Sequence, residues 1–414
     1  MEQRQNLIID AVNKSRNQPL SNDFRSVVDL FAGVGGLSLG AARAGFSVAL
    51  AVEHDKHALS AHKKNFPKVK HSSADISKLT GENLLESAGL QIGGLDGLIG
   101  GPPCQGFSTI GRRHVADPRN NLFRKFFSLV AECRPNFYVA ENVLGILSDQ
   151  YDEIRNDAFD LVRGEYLVLD PIRFKASDFG AATSRERAFF IGYRKDLGLN
   201  LCAADFETKK VASATTVSEA LHGMPRIFST WLTEELGWRG LTQTMPSNCF
   251  GDRITNGVPK DVGDPEALRR LQEEGAVSGC LGTRHSPEVA ERYANLKSGK
   301  QDRISKSVRL DPNGLCPTLR AGTGAEKGSY QAVRPIHPTS ARVITPREAA
   351  RLQGFPDWFQ FAPSKWHSFR QIGNSVSPFV AEAVLSVIET KLKCNSQKLR
   401  NMPVKLDVVI HDAD

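Results

Sequence analysis

The feature that most constrains the fold is a regular alternation of short apolar runs with amphipathic segments in the first half of the chain. The apolar runs have the length of buried strands and lie at residues 26–31, 47–53, 95–100, 136–142 and 187–194. Helical periodicity occupies segments between them, at residues 35–45, 55–66 and 121–133. Strands that alternate with helices build a parallel sheet covered on both faces, so we predict an α/β fold with a mostly parallel, twisted sheet.

The alternation stops near residue 196, and the chain from there to residue 340 is rich in Gly, Ser, Thr and Pro. This composition predicts a second, smaller and irregular domain with many loops. Helical periodicity returns at 346–355 and 377–393, which indicates that the chain comes back to the first domain. The predicted order is an N-terminal extension, the first domain, the second domain, the return to the first domain and a tail, at residues 1–24, 25–196, 197–340, 341–394 and 395–414.

Composition argues against several classes of protein. No apolar run is long enough for a membrane span, and the N-terminus lacks the apolar core of a signal peptide. The seven cysteines are scattered without a CxxC pair, so we expect no disulfide framework, no metal site and a cytoplasmic protein. The net charge of +7 permits an anionic partner. Arginines concentrate at 184–195 and 342–353, which are therefore candidate basic faces. On charge alone the alternative is favoured, in which these stretches form solvated helix faces and ion pairs.

A glycine-rich turn follows the first predicted strand, in "DLFAGVGGLSLG" (29–40). Gly33, Gly35 and Gly36 allow the backbone to approach a ligand closely, with N–H groups of the next helix directed at it. Glu53 ends the next predicted strand, where a carboxylate suits a ribose diol. The turn indicates a nucleotide-like cofactor, and a tight turn that serves packing alone is the alternative, because the spacing differs from GxGxxG.

Asp75 lies where a third strand would end. Its carboxylate is placed to accept a hydrogen bond from an adenine amino group. The spacing alone favours the alternative, in which Asp75 caps a helix.

Cys104 follows two glycines and two prolines at the exit of the predicted strand 95–100. A free cysteine is usually a small buried apolar residue, but the prolines would also fix the direction of a nucleophile. Glu141 ends the neighbouring predicted strand, either as a helix cap or as an acid in the same cleft. A thiol beside an acid suits covalent attack on an electron-poor ring that is protonated elsewhere, and partial burial should raise the pKa of Glu141.

Two further stretches accompany this pair. Arg185 and Arg187 enter a predicted strand, and we expect their side chains to point to opposite faces, so that only one of them faces the cleft. The segment 105–114 is small, polar and basic, which suits a loop that closes over an anionic substrate.

Six motifs therefore occur in a fixed order: "FAGVGG", "PPCQGFS", "ENV", "RER", "RVITPREAARLQGFP" and "QIGNSVSP". Together they resemble the C5-cytosine DNA methyltransferase family of bacterial restriction–modification systems, and they cover residues 29–380 except the middle. The resemblance implies a Rossmann-like methyltransferase domain, a target-recognition domain in the second position, S-adenosylmethionine as methyl donor, and a cytosine flipped out of double-stranded DNA. It also implies a cognate restriction endonuclease as a functional rather than physical partner, and we expect a nucleoid-associated monomer without a membrane partner.

The resemblance assigns roles residue by residue. Cys104 is implied as the nucleophile, Glu141 as the partner of the cytosine N3 and exocyclic amine, Arg187 as the partner of O2, and Arg185 as a support of the thiol loop. The implied cofactor site consists of Phe31, Gly33, Gly35, Gly36, Leu37, Glu53, His54, Asp75, Ile76, Pro102, Asn374, Ser375 and Val376. The implied DNA contacts are Gln105, Ser108, Arg112, Thr318, Leu319 and Arg320.

Two positions depart from the family pattern. Thr183 stands where the family usually has a glutamine before the paired arginines, which puts one loop-supporting hydrogen bond in doubt. His54 stands where an aromatic residue commonly follows the ribose-binding glutamate, so stacking on the cofactor is either weaker or supplied by His54.

Three alternatives remain at this point. A tRNA cytosine methyltransferase is disfavoured because the irregular block 200–340 is large and "CFGD" at 249 only partly matches the Cys-Phe-Thr signature of such enzymes. A catalytically silent DNA-binding protein is disfavoured by the intact Cys104, Glu141 and Arg187. A nicotinamide oxidoreductase is disfavoured by the missing GxGxxG.

Overall fold

The computed structural model describes residues 25–103, 120–227, 236–322 and 333–401. Its centre is an eight-stranded sheet in the order β3-β2-β1-β4-β5-β8-β6, with β7 also paired to β8. The strands are β1 Arg25–Leu30, β2 Phe46–Val52, β3 Lys70–Ser72, β4 Gly97–Gly100, β5 Phe137–Asn142, β6 Tyr166–Val168, β7 Ile172–Lys175 and β8 Glu186–Arg194. The first five strands pair in parallel, whereas β8 runs antiparallel to β5, β6 and β7. The predicted α/β fold with a mostly parallel sheet is confirmed, and β8 is the strand that runs against its neighbours.

Both faces of this sheet are buried, as the apolar strand composition predicts. Val27 of β1 and Val139 of β5 pack into one apolar cluster, while the adjacent Val28 and Tyr138 pack into another on the opposite face. Residues on either side of the sheet therefore alternate between two separate cores, which is the pattern of a sheet covered by helices on both faces.

Thirteen helices of at least one α-turn lie in the described ranges. They are α1 Gly36–Arg43, α2 Lys56–Asn65, α3 Gly81–Ala88, α4 Asn120–Cys133, α5 Asp152–Asp160, α6 Ala203–Glu207, α7 Val217–Ala220, α8 Cys249–Thr255, α9 Pro265–Glu274, α10 Pro287–Ala294, α11 Pro346–Leu352, α12 Lys365–Asn374 and α13 Pro378–Asn401. Asp55 caps α2 by accepting hydrogen bonds from the backbone N–H groups of His57 and Ala58, as its position in the sequence predicts. The last helix, α13, packs against α1 and so joins the end of the chain to its beginning.

The region after β8 is irregular, as its composition predicts. Its regular structure consists of short helices and a two-stranded antiparallel sheet of β9 Arg239–Gly240 and β10 Ala276–Val277. Across the described ranges, no helix combines the length and apolar character that crossing a bilayer requires.

The arginines of 342–353 form neither a basic face nor a solvated helix face, so both of those predictions are wrong, whereas the predicted ion pairs are present but buried. Arg342, Arg347 and Arg351 are all buried. Arg342 pairs with Glu348 and Arg351 with Asp357, each through two hydrogen bonds. Helical spacing alone does not reveal this, because the covering segments come from distant parts of the chain.

Candidate active site at the carboxyl edge of the sheet

Three central strands end together and bring their loops to one edge of the sheet. Leu30 of β1 and Ala140 of β5 both lie level with Gly100 of β4. The turn after β1, the segment after β4 and the end of β5 therefore meet where ligands bind in open α/β sheets.

Glu141 is the buried acid of this edge. Its Oε1 lies 3.1 Å from Nε of Arg187, and a Cβ built on Gly101 would lie 3.4 Å from its Oε2. Burial raises the pKa of Glu141, while the charges of Arg187 and Arg185 oppose that shift. The predicted raised pKa is thus confirmed, and the carboxyl group faces the segment that leads from β4 toward residue 104.

The two arginines before and within β8 have different partners. They are two residues apart, a spacing that places both side chains on one face of an extended strand, and the charges of both act on Glu141, so the prediction of opposite faces is wrong. Arg187 is half-buried and pairs with Glu141, so it faces the cleft. Arg185 is buried, and its Nη1 donates a hydrogen bond to the carbonyl oxygen of Gly373 at 2.9 Å. Thr183 instead uses its hydroxyl to donate to the carbonyl oxygen of Cys316 at 2.9 Å, so it ties the entry of β8 to the segment just before Thr318.

Asn142 has a contact at this edge that the sequence analysis missed. Its Nδ2 donates to the carbonyl oxygen of Pro102 at 3.3 Å, and its Oδ1 accepts from the N–H of Val143 at 2.8 Å. The side chain thereby braces the Gly-Pro-Pro segment. The sequence feature that could have identified Asn142 is its position next to Glu141 in the "ENV" motif.

The glycine-rich turn and Glu53 form one unit. Oε2 of Glu53 accepts from the N–H of Gly33 at 2.8 Å, and Oε1 accepts from the N–H of Asp55 at 2.7 Å. Gly33 has a φ of 56°, and the direction of a Cβ on it is open, with no atom nearer than 4.0 Å. Phe31 adopts a φ of 58°, which is uncommon for a residue with a side chain and is found mainly where a site requires it.

Residues of the C-terminal part of the chain pack against the glycine-rich turn. A Cβ on Gly36 would lie 2.2 Å from Oγ of Ser375 and 2.3 Å from the carbonyl oxygen of Val376. Only glycine permits this approach, which places Ser375 and Val376 against the start of α1. Asn374, the last residue of α12, is exposed beside them.

The remaining described candidates lie around this turn. Leu37 and Ile76 are buried in the two apolar cores, whereas His54 is in contact with the carbonyl oxygen of Ser73 at 3.4 Å. Asp75 is exposed and caps a short 3₁₀ turn by accepting from the N–H and hydroxyl of Ser77, which is the capping role that its spacing favours.

A buried polar chain beneath the turn was also missed by the sequence analysis. The ring of His62 is hydrogen-bonded to His71 at 2.9 Å and to the hydroxyl of Ser38 at 3.1 Å, and Ser38 donates to Asp29 at 2.6 Å. Burial raises the pKa of Asp29 to about 7. The four residues come from four different elements, so no local sequence motif predicts that they are in contact.

Several predicted contacts fall outside the described residues, namely Cys104, Gln105, Ser108 and Arg112. In the second region Leu319 is buried, Thr318 is half-buried and Arg320 is exposed. The backbone of Arg320 packs against α12, since a Cβ on Gly373 would lie 2.7 Å from the carbonyl carbon of Arg320.

Known proteins share both the sequence and the architecture. The family model described as C-5 cytosine-specific DNA methylase matches residues 25–390. The type II methyltransferase M.XorII of Xanthomonas oryzae pv. oryzae is 38% identical over 384 residues, which are 91% of this chain and 87% of that protein. The type II methyltransferase M.DdeI of Desulfomicrobium norvegicum is 34% identical and covers 87% of each chain.

A crystal structure from E. coli, described as a DNA modification methyltransferase encoded within a prophage, superposes with a TM-score of 0.81 at 49% identity. The match covers 89% of this chain and 99% of that one. The structure of the S. pombe Dnmt2 methyltransferase, at 18% identity and a TM-score of 0.57, shares the fold.

Proposed function

Because the chain belongs to the C-5 cytosine-specific DNA methylase family, it is a DNA cytosine-C5 methyltransferase of the type II restriction–modification kind, and we propose that Cys104, Glu141 and Arg187 carry out its chemistry. The observation that carries this assignment is the buried Glu141, paired with Arg187 and facing the segment between β4 and Cys104. In the sequence Cys104 follows β4, and β4 is the neighbour of β5, the strand that carries Glu141.

The residues divide the work according to their chemistry. The thiolate of Cys104 adds to C6 of the cytosine, which makes C5 nucleophilic. The carboxyl group of Glu141, whose pKa is raised by burial, donates in its protonated form to N3 and stabilises the electron pair pushed into the ring. Arg187 lies beside Glu141 and holds O2. After C5 has gained its methyl group, C5 loses a proton and Cys104 leaves. The base must be extruded from the duplex for these contacts to form.

The methyl donor that we propose is S-adenosylmethionine. The open face of Gly33, the carboxylate of Glu53 beside it and the strained Phe31 make a cradle that suits a nucleoside with a ribose diol. When bound, this cofactor would supply an electrophilic methyl group to C5. Glu53 would hold the ribose hydroxyls, Phe31, His54, Asp75 and Ile76 would surround the adenine, and Asn374, Ser375 and Val376 would close the pocket.

We also propose the division of the chain into a catalytic domain at 25–196 and 341–394 and a target-recognition domain at 197–340. It is supported by the change from regular to irregular structure after β8 and by the return of α12 and α13 to the glycine-rich turn. In this arrangement Thr318, Leu319 and Arg320 contact DNA, with Gln105, Ser108 and Arg112 on the closing loop. We propose a cytoplasmic monomer, which the free thiols of the described cysteines suit, with a cognate endonuclease as its functional partner.

The decisive test is expression in a host that lacks cytosine methylation, followed by bisulfite sequencing of its DNA and RNA. We expect 5-methylcytosine in one DNA sequence context and none added to tRNA. The Cys104→Ala variant should lose methyl transfer while its affinity for S-adenosylmethionine stays close to that of the wild type. Retained turnover in this variant would refute the covalent mechanism, and modification of tRNA alone would refute the substrate.

A further inference from the structure

The helix α12 presents one straight stripe of residues to the second region of the chain. Lys365, Phe369 and Gly373 are spaced four residues apart, so they lie on one face of the helix. Gly373 packs against the backbone of Arg320, at the segment proposed to contact DNA. Phe369 lies ~6 Å and Lys365 ~12 Å farther along the same face, from the rise of 1.5 Å per residue.

Arg334 covers the middle of this stripe. Its guanidinium carbon lies 4.0 Å from the centroid of the Phe369 ring, so the cation stacks on the aromatic face. Nε of Arg334 is buried and has no hydrogen-bond partner among the described residues. No carboxylate of those residues forms an ion pair with it, and burial lowers its pKa to about 10. A half-buried guanidinium without a hydrogen-bond or ion-pair partner lowers the stability of the folded protein unless an anion binds to it.

Lys365 places a second cation at the same end of the helix. Its Nζ donates to the carbonyl oxygen of Gly282 at 2.6 Å and to the hydroxyl of Thr283 at 3.2 Å, which fixes the ammonium group. Burial lowers the pKa of Lys365, and the charge of the neighbouring Arg334 adds to that shift. Two separate segments thus bring two cations together. The nearby buried acids in the sequence are already paired, Glu348 with Arg342 and Asp357 with Arg351.

We propose that Arg334, supported by Lys365, binds a backbone phosphate of the duplex DNA. This phosphate would lie next to the target-recognition segment that contains Arg320. The planar guanidinium fork matches a phosphate group, and its stacking on Phe369 holds the fork in place before DNA arrives. The short distance along α12 between this cationic pair and Arg320 lets both contact one DNA backbone. The inference rests on the proposed function, because it takes duplex DNA as the partner.

The test measures DNA affinity against salt concentration for the wild type, Arg334→Met and Arg334→Lys. Methionine retains the apolar stem that covers Phe369, and lysine restores the charge. We expect Arg334→Met to lower the slope of log K against log salt by about 1 and to weaken binding about 5–10-fold at 0.1 M salt. Arg334→Lys should recover most of the slope. Arg163→Met, an exposed arginine paired with Asp160, is the matched control and should leave the slope unchanged.

Further measurements distinguish a failure of the proposed phosphate site from a failure of the proposed function. The affinity of Arg334→Met for S-adenosylmethionine should match the wild type, because the site is for DNA. Its melting temperature should equal or exceed that of the wild type, because the variant no longer buries an unpaired cation. An unchanged salt slope, or an equal loss in the methionine and lysine variants, would overturn the phosphate site. Competition by millimolar inorganic phosphate without any effect of the variants on DNA would also overturn it. A wild type that neither binds nor methylates duplex DNA would instead refute the proposed function.

Discussion

Replacing Arg351 by methionine is expected to destabilise the fold strongly. The side chains of Arg351 and Asp357 are both 0% exposed, and Nε and Nη2 donate to the two carboxylate oxygens at 2.7 and 2.6 Å. Nη1 donates to the carbonyl oxygen of His222 at 2.6 Å. Methionine fills much of the same volume but leaves the carboxylate of Asp357 buried without its cation.

The magnitude follows from that unpaired charge. Breaking a buried ion pair by removing one partner costs about 3–5 kcal/mol, because the remaining charge stays desolvated. The double variant Arg351→Met with Asp357→Leu removes both charges and should lie much closer to the wild type than the single variant. Arg269→Met is the control, since Arg269 is 43% exposed and solvent screens its pairing with Glu266, so this variant should lose far less stability than Arg351→Met.

The free energy of unfolding is measured by urea titration, with the fluorescence of the buried Trp358 as the signal. A loss below about 1 kcal/mol in Arg351→Met, or a double variant as unstable as the single one, would refute the reasoning. A stable variant that has lost affinity for DNA would show that Arg351 faces DNA after all.

Three further results are expected around the glycine-rich turn. Glu53→Ala should raise the dissociation constant for S-adenosylmethionine in calorimetric titration, and an unchanged constant would remove Glu53 from the ribose site. Gly36→Ala should cost about 1–3 kcal/mol or more in urea unfolding, because its Cβ would lie 2.2 Å from Oγ of Ser375, and a neutral effect would contradict that close approach. Burial raises the pKa of Asp29 from 3.8 to about 7, so its ionisation opposes folding and stability falls as pH rises between those values, by at most ~1.4 kcal/mol per pH unit. Asp29→Asn should flatten this decline, and a parallel decline in the variant would place its cause elsewhere.

The sequence predicted the first half of the chain well because its signals are local. Apolar runs and helical periodicity identified the central strands and helices, and Asp55 identified the start of α2. The order of motifs identified Glu141 at a strand end and the glycine-rich turn before α1, since the ends of parallel strands share one edge.

Local charge and helical spacing gave a wrong prediction of exposure where distant segments of the chain bury a helix. Arg342, Arg347 and Arg351 read as a charged helix face, yet segments remote in the chain cover them and supply their partners, such as Ser278 and His222. The antiparallel direction of β8 likewise did not follow from its apolar composition, which fits either direction of a strand.

By itself, then, the sequence determined the α/β architecture and the family, and it led to the proposed reacting groups, because each depends on residue types at short spacing. The tertiary structure alone decided the pairing of Glu141 with Arg187, the approach of Ser375 to Gly36, the chain from His71 to Asp29, and the stacking of Arg334 on Phe369. Each of these contacts joins different elements of the fold. The electrostatic properties of such contacts depend on desolvation, which exists only once the chain has folded around them.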